Sequence, residues 1–406
     1  MNQSGPAGQH TVRRHNSALV LNTIAAAGGL SRASVAARTG LTKATVSSLV
    51  DRMLTAGLVV DGGPEHRVGR GRRGTALSLS PAGPHGLGVE IGVDTLSCAL
   101  VDLTGRVRVS WTRDVGRRGR TVEEGLSQVA DLVGLAREEA DRLGVSVGGV
   151  GVAVPGLVES STGLLRNAPN LGWRDVPLHD ELRARTGVTD RPLLVGNEAN
   201  LAGLAELWFG GREDRRDFVH VSGEIGIGAG LVVAGELFPG VRGFGGEIGH
   251  LSVDPAGPPC SCGGRGCLER LAGRAAVLAA AGVPAEAEDG TGDGMAELLR
   301  RLGDDDPVAL TAVTDTGRWL GIAMADVINL LDIPTVVLGG TYARLEPWLR
   351  SPLLAELDRR VVSSGWAPVA VEPSVLGSRA AVQGAAGWVV RGILDDPEPF
   401  LVGPPT

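Results

Sequence analysis

The sequence predicts an α/β protein that carries a small winged helix-turn-helix at its front. Three observations predict it. Residues 16–56 hold apolar side chains at helical spacing, broken by glycines at 28, 29 and 40. Beyond residue 87, strand-like runs ending in glycine alternate with helical stretches. Charge is divided as well: up to residue 80, ten basic side chains oppose three acidic ones (+7), leaving −14 on the rest of a chain whose net charge is −7. A basic head on an acidic body points to a polyanionic partner for the head and another task for the body.

The chain of 406 residues, 43% hydrophobic and 21% charged, has the composition of an ordinary globular protein with room for two or three domains. Its first residues, MNQSGPAGQHTVRRHN, lack the apolar core of a signal peptide, and no run approaches the ~18 apolar residues of a membrane span. A cytoplasmic protein is expected, with no membrane partner. In such a reducing compartment, clustered cysteines bind metal more often than they form disulfides.

In the head, Leu19, Val20, Ile24 and Ala27 set a first helix over 16–27, ended by Gly28-Gly29. Ser31 or Ser34 can cap a second helix, Arg32–Thr39, because a serine oxygen accepts one of the free N–H groups of the first turn. After a sharp turn at Gly40, Thr42 can cap a third helix reaching about Ala56. There Val46, Leu49, Val50 and Met53 form the apolar stripe and Lys43, Thr45, Ser47, Ser48 and Arg52 lie off it. Two short helices about a tight turn make a helix-turn-helix, so Lys43, Thr45 and Ser48 are the expected contacts to bases and phosphates. LVV and TALSLS read as two strands around the tip GGPEHRVGRGRRG, which would carry Arg70, Arg72 and Arg73 into a groove of double-stranded operator DNA. A helical bundle that binds another protein remains the alternative, because periodicity does not separate the two.

Residues 1–80 form the expected DNA-binding domain, SPAGPHG marks the joint with a linker at 81–87, and 88–406 forms the body. Its strand signals include GLGVEIGVDTLSCALVDLTG, GVGVAVPGLV, RPLLVGNEAN, DFVHVSGEIGIGAGLVVAG and PTVVLGG, with helical patterns over 122–143 and 315–331. Residues 283–294 read as an exposed loop, and no repeat of 20–50 residues stands out. Gly339-Gly340 suits a tight turn from strand to helix.

The ordered motifs VPG (154–156), NAPNLGW (167–173), NEAN (197–200), GEIGH (246–250) and CSCGGRGCLE (260–269) resemble the ROK family of repressors, open reading frames and kinases. With a winged head in front, the whole chain is similar to the family's transcriptional regulators, such as the xylose and N-acetylglucosamine repressors. The resemblance implies a two-lobed, actin-like, sugar-kinase fold with a sugar cleft, and a homodimer or homotetramer whose paired heads read a pseudo-palindrome.

Three of the four cysteines fall within eight positions. His250, Cys260, Cys262 and Cys267 make the Cys₃His set that zinc takes tetrahedrally, and four protein ligands leave no position for a reactive water. A structural zinc in the second lobe is therefore expected, in line with the resemblance. A redox pair at Cys260 and Cys262 stays open although the spacing is not C-x-x-C. Cys98 reads as a small buried hydrophobe. The resemblance further implies that Asn170, Asn197, Glu198, Glu247, His250 and Glu269 face sugar hydroxyls, which carboxylates, amides and imidazole suit as donors and acceptors. His250 would share its two ring nitrogens between metal and sugar.

Kinases of the family carry DIGGTK in a first phosphate loop, where this chain has Glu90-Ile91-Gly92-Val93-Asp94-Thr95. Their second loop, GTGIGGG, corresponds to Glu224-Ile225-Gly226-Ile227-Gly228-Ala229-Gly230, and their catalytic Asp to Glu198. Two new acidic groups would stand against ATP phosphates, and the base is one methylene longer. The expectation is a sugar-responsive regulator with no catalytic residues. An active sugar kinase with a fused head, or a regulator that answers a protein partner, are the alternatives.

Overall fold

The computed structural model describes residues 9–64, 75–116, 120–212, 214–224, 226–284 and 294–401. Its head contains α1 (Gln9–Ala27), α2 (Arg32–Thr39), α3 (Lys43–Thr55), β1 (Val59–Pro64) and β2 (Thr75–Leu79). The first helix starts seven residues before the expected 16, while α2 and α3 start where their caps predict. Ser31 accepts the Ser34 N–H and Thr42 accepts the Thr45 N–H, and between them Gly40 (φ 72°) ends α2 in the left-handed conformation glycine adopts without strain. Val46, Leu49, Val50 and Met53 are buried as the stripe requires. β1 and β2 pair antiparallel to form the wing.

Lobe 1 runs through β3 (His85–Ile91), β4 (Thr95–Val101), β5 (Val107–Asp114), α4 (Val122–Leu143), β6 (Val147–Val154), β7 (Leu157–Val158), β8 (Leu165–Ala168), β9 (Trp173–Val176), α5 (Leu178–Thr186), β10 (Leu193–Asn197) and α6 (Glu198–Phe209). Lobe 2 follows with β11 (Phe218–Gly223), β12 (Ile227–Val233), β13 (Glu236–Leu237), α7 (Leu268–Ala272), α8 (Arg274–Ala280), α9 (Gly294–Gly303), α10 (Pro307–Leu331), β14 (Thr335–Gly339), α11 (Gly340–Arg360) and β15 (Ala370–Pro373). The chain then returns to lobe 1 as α12 (Ala380–Asp395) and ends in α13 (Glu398–Leu401). Because β3 begins at His85, the last residues of the expected linker already pair in the lobe 1 sheet.

Each lobe is built on one five-stranded sheet, ordered β10-β6-β3-β4-β5 in lobe 1 and β13-β12-β11-β14-β15 in lobe 2. In both, the central strand pairs antiparallel with the next strand on one side and parallel with a crossover strand on the other. The same topology thus occurs twice without a legible sequence repeat, since a fold needs only the apolar pattern and the glycines, not the residues, to recur. Lobe 2 has the larger apolar core, which α10 and α11 fill with residues such as Leu320, Met324, Leu349 and Leu353. The head does not stand apart: Val20, Leu21 and Ile24 of α1 share one core with Val101 and Leu103 of lobe 1 and with Val389, Val390 and Ile393 of α12.

Candidate functional site

The lobes enclose a cleft of about 520 Å³ between the turns that follow their central strands. Lobe 1 contributes Glu90 near the end of β3, Asp94 in the β3–β4 turn and Glu198 at the first position of α6; lobe 2 contributes Glu224 from the β11–β12 turn. Burial, then the charge of Glu224 across the cleft, pushes the Glu90 carboxyl up to about 8. Burial, then Glu90, Glu247 and Glu224, raises Glu198 to about 8 as well, and its Oε2 is buried without a hydrogen-bond partner. Glu90 and Glu198 thus sit among like charges in a poorly solvated space, so at neutral pH these two hold protons. Such a set can both donate to and accept from hydroxyl groups.

The expected sugar residues divide by what else they do. Asn197 caps α6: its Oδ1 accepts from the Ala199 N–H at 2.9 Å and the Asn200 N–H at 3.1 Å, while its Nδ2 donates to the Gly156 carbonyl at 3.0 Å. One amide hydrogen is left for a ligand, so most of its capacity serves to place Glu198. Asn170 of lobe 1 and Glu269 of α7 meet at Gly226. A Cβ there would lie 2.5 Å from Glu269 Oε2 and 3.4 Å from Asn170 Nδ2, which explains the glycine. Glu269 Oε2 also accepts the Ile227 N–H at 3.3 Å. Glu247, just before the 3-10 turn Ile248–His250, opens to solvent on one side. Protein around its other sides and the Glu269 carboxylate raise its pKa, which His250 opposes.

Sequence reasoning assigned Glu90 no role and read Asp94 and Glu224 only as losses from phosphate loops; the structure brings all three together as part of the cleft wall. The β3–β4 turn is braced by Arg120, whose guanidinium donates to the Gly92 and Val93 carbonyls. Gly340, at φ 52°, lies so close under Glu224 that a Cβ would overlap the carboxylate, a reason for Gly339-Gly340 beyond the turn itself.

His250, Cys260, Cys262 and Cys267 converge, with their four ligand atoms within 4.8 Å of one another. Cys260 Sγ lies 3.9 Å from His250 Nδ1 and Cys262 Sγ lies 3.6 Å from Cys267 Sγ. The edges of a tetrahedron with metal–sulfur bonds of ~2.3 Å are about 3.8 Å, so the donors fit a metal ion through Nδ1. The loop needs Gly266 (φ 60°), because any side chain there would overlap the Asp254 carbonyl. Cys98 is buried in β4, and burial pushes its thiol up to about 12, as an inert hydrophobe requires.

In the head, Lys43 and Ser48 are exposed on α3, whereas the Thr45 hydroxyl is within 2.8 Å of the Thr42 hydroxyl that caps the helix. Arg70, Arg72 and Arg73 lie outside the described residues. Arg32 pairs with Asp51 at 2.7 Å, and Arg52 turns away from the exposed face to the end of the chain. Among the described residues no helix is long and apolar enough to cross a membrane.

Comparison with known proteins places these features in a family. The ROK family matches residues 86–391 and the MarR family matches residues 14–67. A putative xylose repressor of Caldicellulosiruptor sp. (strain Rt8B.4) is 32% identical over 404 residues, covering 96% of this chain and 99% of that protein. The crystal structure of a ROK family transcriptional regulator, a homolog of the E. coli MLC protein, superimposes with a TM-score of 0.79 at 25% identity, covering 96% of this chain and 98% of that one. A ROK family glucokinase from Streptomyces griseus, solved with glucose and AMPPNP, gives a TM-score of 0.65 at 28% identity over 75% of this chain and 98% of its own.

Proposed function

The chain belongs to the ROK family, and on that footing we propose that it is a transcriptional repressor released from DNA by a sugar. Lys43, Thr45 and Ser48 of α3 meet base edges and phosphates of an operator, with Arg70, Arg72 and Arg73 of the wing tip reaching the groove alongside. Asn170, Asn197, Glu198, Glu247, His250 and Glu269 hold the sugar, with Asn170 and Glu198 in the cleft wall. The observation that carries this reading is a helix-turn-helix built onto a kinase-like body in which both phosphate-loop turns carry an acid, Asp94 and Glu224. Phosphates of ATP would face those charges, whereas a neutral polyol would find donors and acceptors. Glu198, at about 8, is mostly protonated at neutral pH and offers a hydroxyl oxygen a proton rather than removing one. The protein therefore binds its sugar without phosphorylating it.

The Cys₃His cluster holds a structural zinc, which supplies a fixed tetrahedral knot and no open coordination position. His250 binds it through Nδ1 and keeps its other ring nitrogen for the sugar, so metal and sugar sites stand or fall together. Two or four copies assemble so that two heads read one pseudo-palindrome. D-xylose is the first sugar to try, given the name of the Caldicellulosiruptor relative.

Fluorescence anisotropy of DNA from upstream of the protein's own gene, titrated with and without D-xylose, D-glucose and N-acetylglucosamine, tests the reading. One sugar should weaken DNA binding by about 5- to 150-fold, the usual range of coupling between two sites. Tight DNA binding that no sugar alters would overturn the sugar sensor in favour of another signal.

A further inference from the structure

α12 begins at the cleft and ends in the core of the head. Gly377–Val382, its lead-in and first turn, line the cleft just after the chain leaves β15 of lobe 2. The helix then lies with its backbone directly on the lobe 1 sheet. A Cβ at Gly86, Gly88 or Gly151 would overlap the Ala386, Val382 or Ala385 carbonyl, and one at Gly384 would overlap the Leu201 carbonyl of α6. α6 and α12 are the two helices that carry the chain between the lobes, and they cross at this glycine. At these glycines no side chain separates α12 from what it rests on, so a change of angle between the lobes reaches the helix with little to absorb it.

At the far end Ala386, Val389, Val390, Ile393 and Leu394 share the core of α1. Past Asp395 the chain turns back as α13, and one carboxylate gathers two helices of the head. Glu398 accepts from Arg52 Nη1 at 3.1 Å and Nη2 at 3.0 Å on α3, and from the Ser17 hydroxyl at 2.6 Å on α1. The pair is mostly shielded, with side-chain exposures of 24% and 15%, and its bidentate geometry fixes direction as well as distance. Arg14 pairs with Asp396 at 2.6 Å and Asn22 donates to the Leu394 carbonyl at 3.0 Å, so the attachment runs along the whole turn. Beside this attachment the junction is open. A cavity of about 690 Å³ separates Ile24 and Leu79 of the head from Trp208 and Phe209 of α6 and the β4–β5 turn. The head is held on one side and has space to move on the other.

We propose that Glu398 is the positioning residue through which the cleft orients the DNA-binding head. Closure about a sugar displaces the start of α12, the crossing at Gly384 makes the helix a lever, and Glu398 delivers the movement to Arg52 of α3 and Ser17 of α1. The assignment rests on the sugar-sensor reading for its input but not for the attachment itself.

The test uses the full-length, zinc-loaded protein as wild type, Glu398→Gln, and the charge exchange Arg52→Glu with Glu398→Arg. Three quantities are read: D-xylose affinity by calorimetry, DNA affinity with and without D-xylose, and hydrogen exchange of α1 and α3 amides without sugar. In Glu398→Gln the sugar-induced change in DNA affinity should collapse to less than about twofold while sugar affinity stays at the wild-type value. Exchange should rise in α1 and α3 and nowhere in lobe 2, and the charge exchange should bring protection back. A variant that keeps the full sugar response, or whose head exchanges at the wild-type rate, overturns the proposal. If wild-type DNA binding ignores D-xylose and the other sugars, the sensor reading fails, and the exchange measurement alone then decides whether Glu398 holds the head. A merely structural loss would lower sugar affinity and head protection together, which also contradicts it.

Discussion

Lobe 1 and lobe 2 carry the same five-stranded sheet, yet they are finished in opposite ways. Lobe 1 uses glycine: Gly86, Gly88 and Gly151 leave room at three points for the backbone of α12 to lie against the sheet, and α12 then enters the core of the head. Lobe 2 uses bulk and convergence: α10 and α11 fill its core, and the Cys₃His cluster brings the loop after Glu247 together with the start of α7. The difference teaches how one duplicated topology comes to do two jobs. One lobe brings a helix backbone onto its sheet at glycines, and the other gathers donors suited to a metal.

The comparison breaks most visibly at the metal cluster. Cys267→Ser should remove the zinc and cost lobe 2 more than about 4 kcal/mol, because metal binding there is folding energy. Zinc content by atomic absorption and thermal unfolding should fall together, and full metal occupancy in the variant would show that the ligand set is misassigned. Lobe 1 should fail by a different route. Gly151→Ala drives a methyl into the Ala385 carbonyl and should cost about 3 kcal/mol by overpacking while zinc content stays whole. A neutral effect in chemical denaturation would mean that α12 does not bear on the sheet as tightly as described.

Between these lies the cleft, where both lobes place acids. Glu90 and Glu198 have folded pKa values of about 8, above the usual glutamate range, so the folded protein binds more protons than the unfolded chain at intermediate pH. Stability from this pair is present below about 4.5 and is lost as pH rises toward 8. Glu90→Gln should flatten that slope, a change on the order of 1 kcal/mol in denaturation at pH 5 against pH 8; an unchanged slope would remove Glu90 from the cluster. The smallest effect belongs to the head. Lys43→Ala should weaken DNA binding across all sequences and lower the salt-dependence slope by about 1, with sugar affinity untouched. A loss of sugar affinity as well would mean that the two functions are not divided between head and body.

Much of this was legible in the residues. Ser31, Gly40 and Thr42 announce the ends of α2 and α3 because capping is local chemistry. The Cys₃His set is legible because its members lie within eighteen positions and few chemistries want those donors. What was not legible depends on distant pairing. Glu398 and Arg52 are 346 residues apart, and a lone glutamate near the end of a chain carries no sign of its partner. The raised carboxyls of Glu90 and Glu198 likewise arise from burial and the convergence of four segments, carrying Glu90, Glu198, Glu224 and Glu247, not from any motif. The span expected as a linker enters a strand at His85, since the prolines and glycine that suggested a joint form a tight turn, closed by the Gly83 N–H on the Ser80 carbonyl. The duplicated sheet was hidden for the same reason that the two lobes differ: each sheet chose its residues for what packs on it.

Binding of a sugar in the cleft without chemistry upon it is the property on which the sensor function depends. It is tested most directly by calorimetry of the zinc-loaded protein with D-xylose and D-glucose, run beside a coupled assay for ADP release in the presence of Mg-ATP. The account predicts a saturable binding heat for one sugar and no ADP above the ATP-only background. ADP release at the ~1–100 s⁻¹ typical of kinases would show that Asp94 and Glu224 do not keep ATP out, and that the protein is an enzyme with a DNA-binding head.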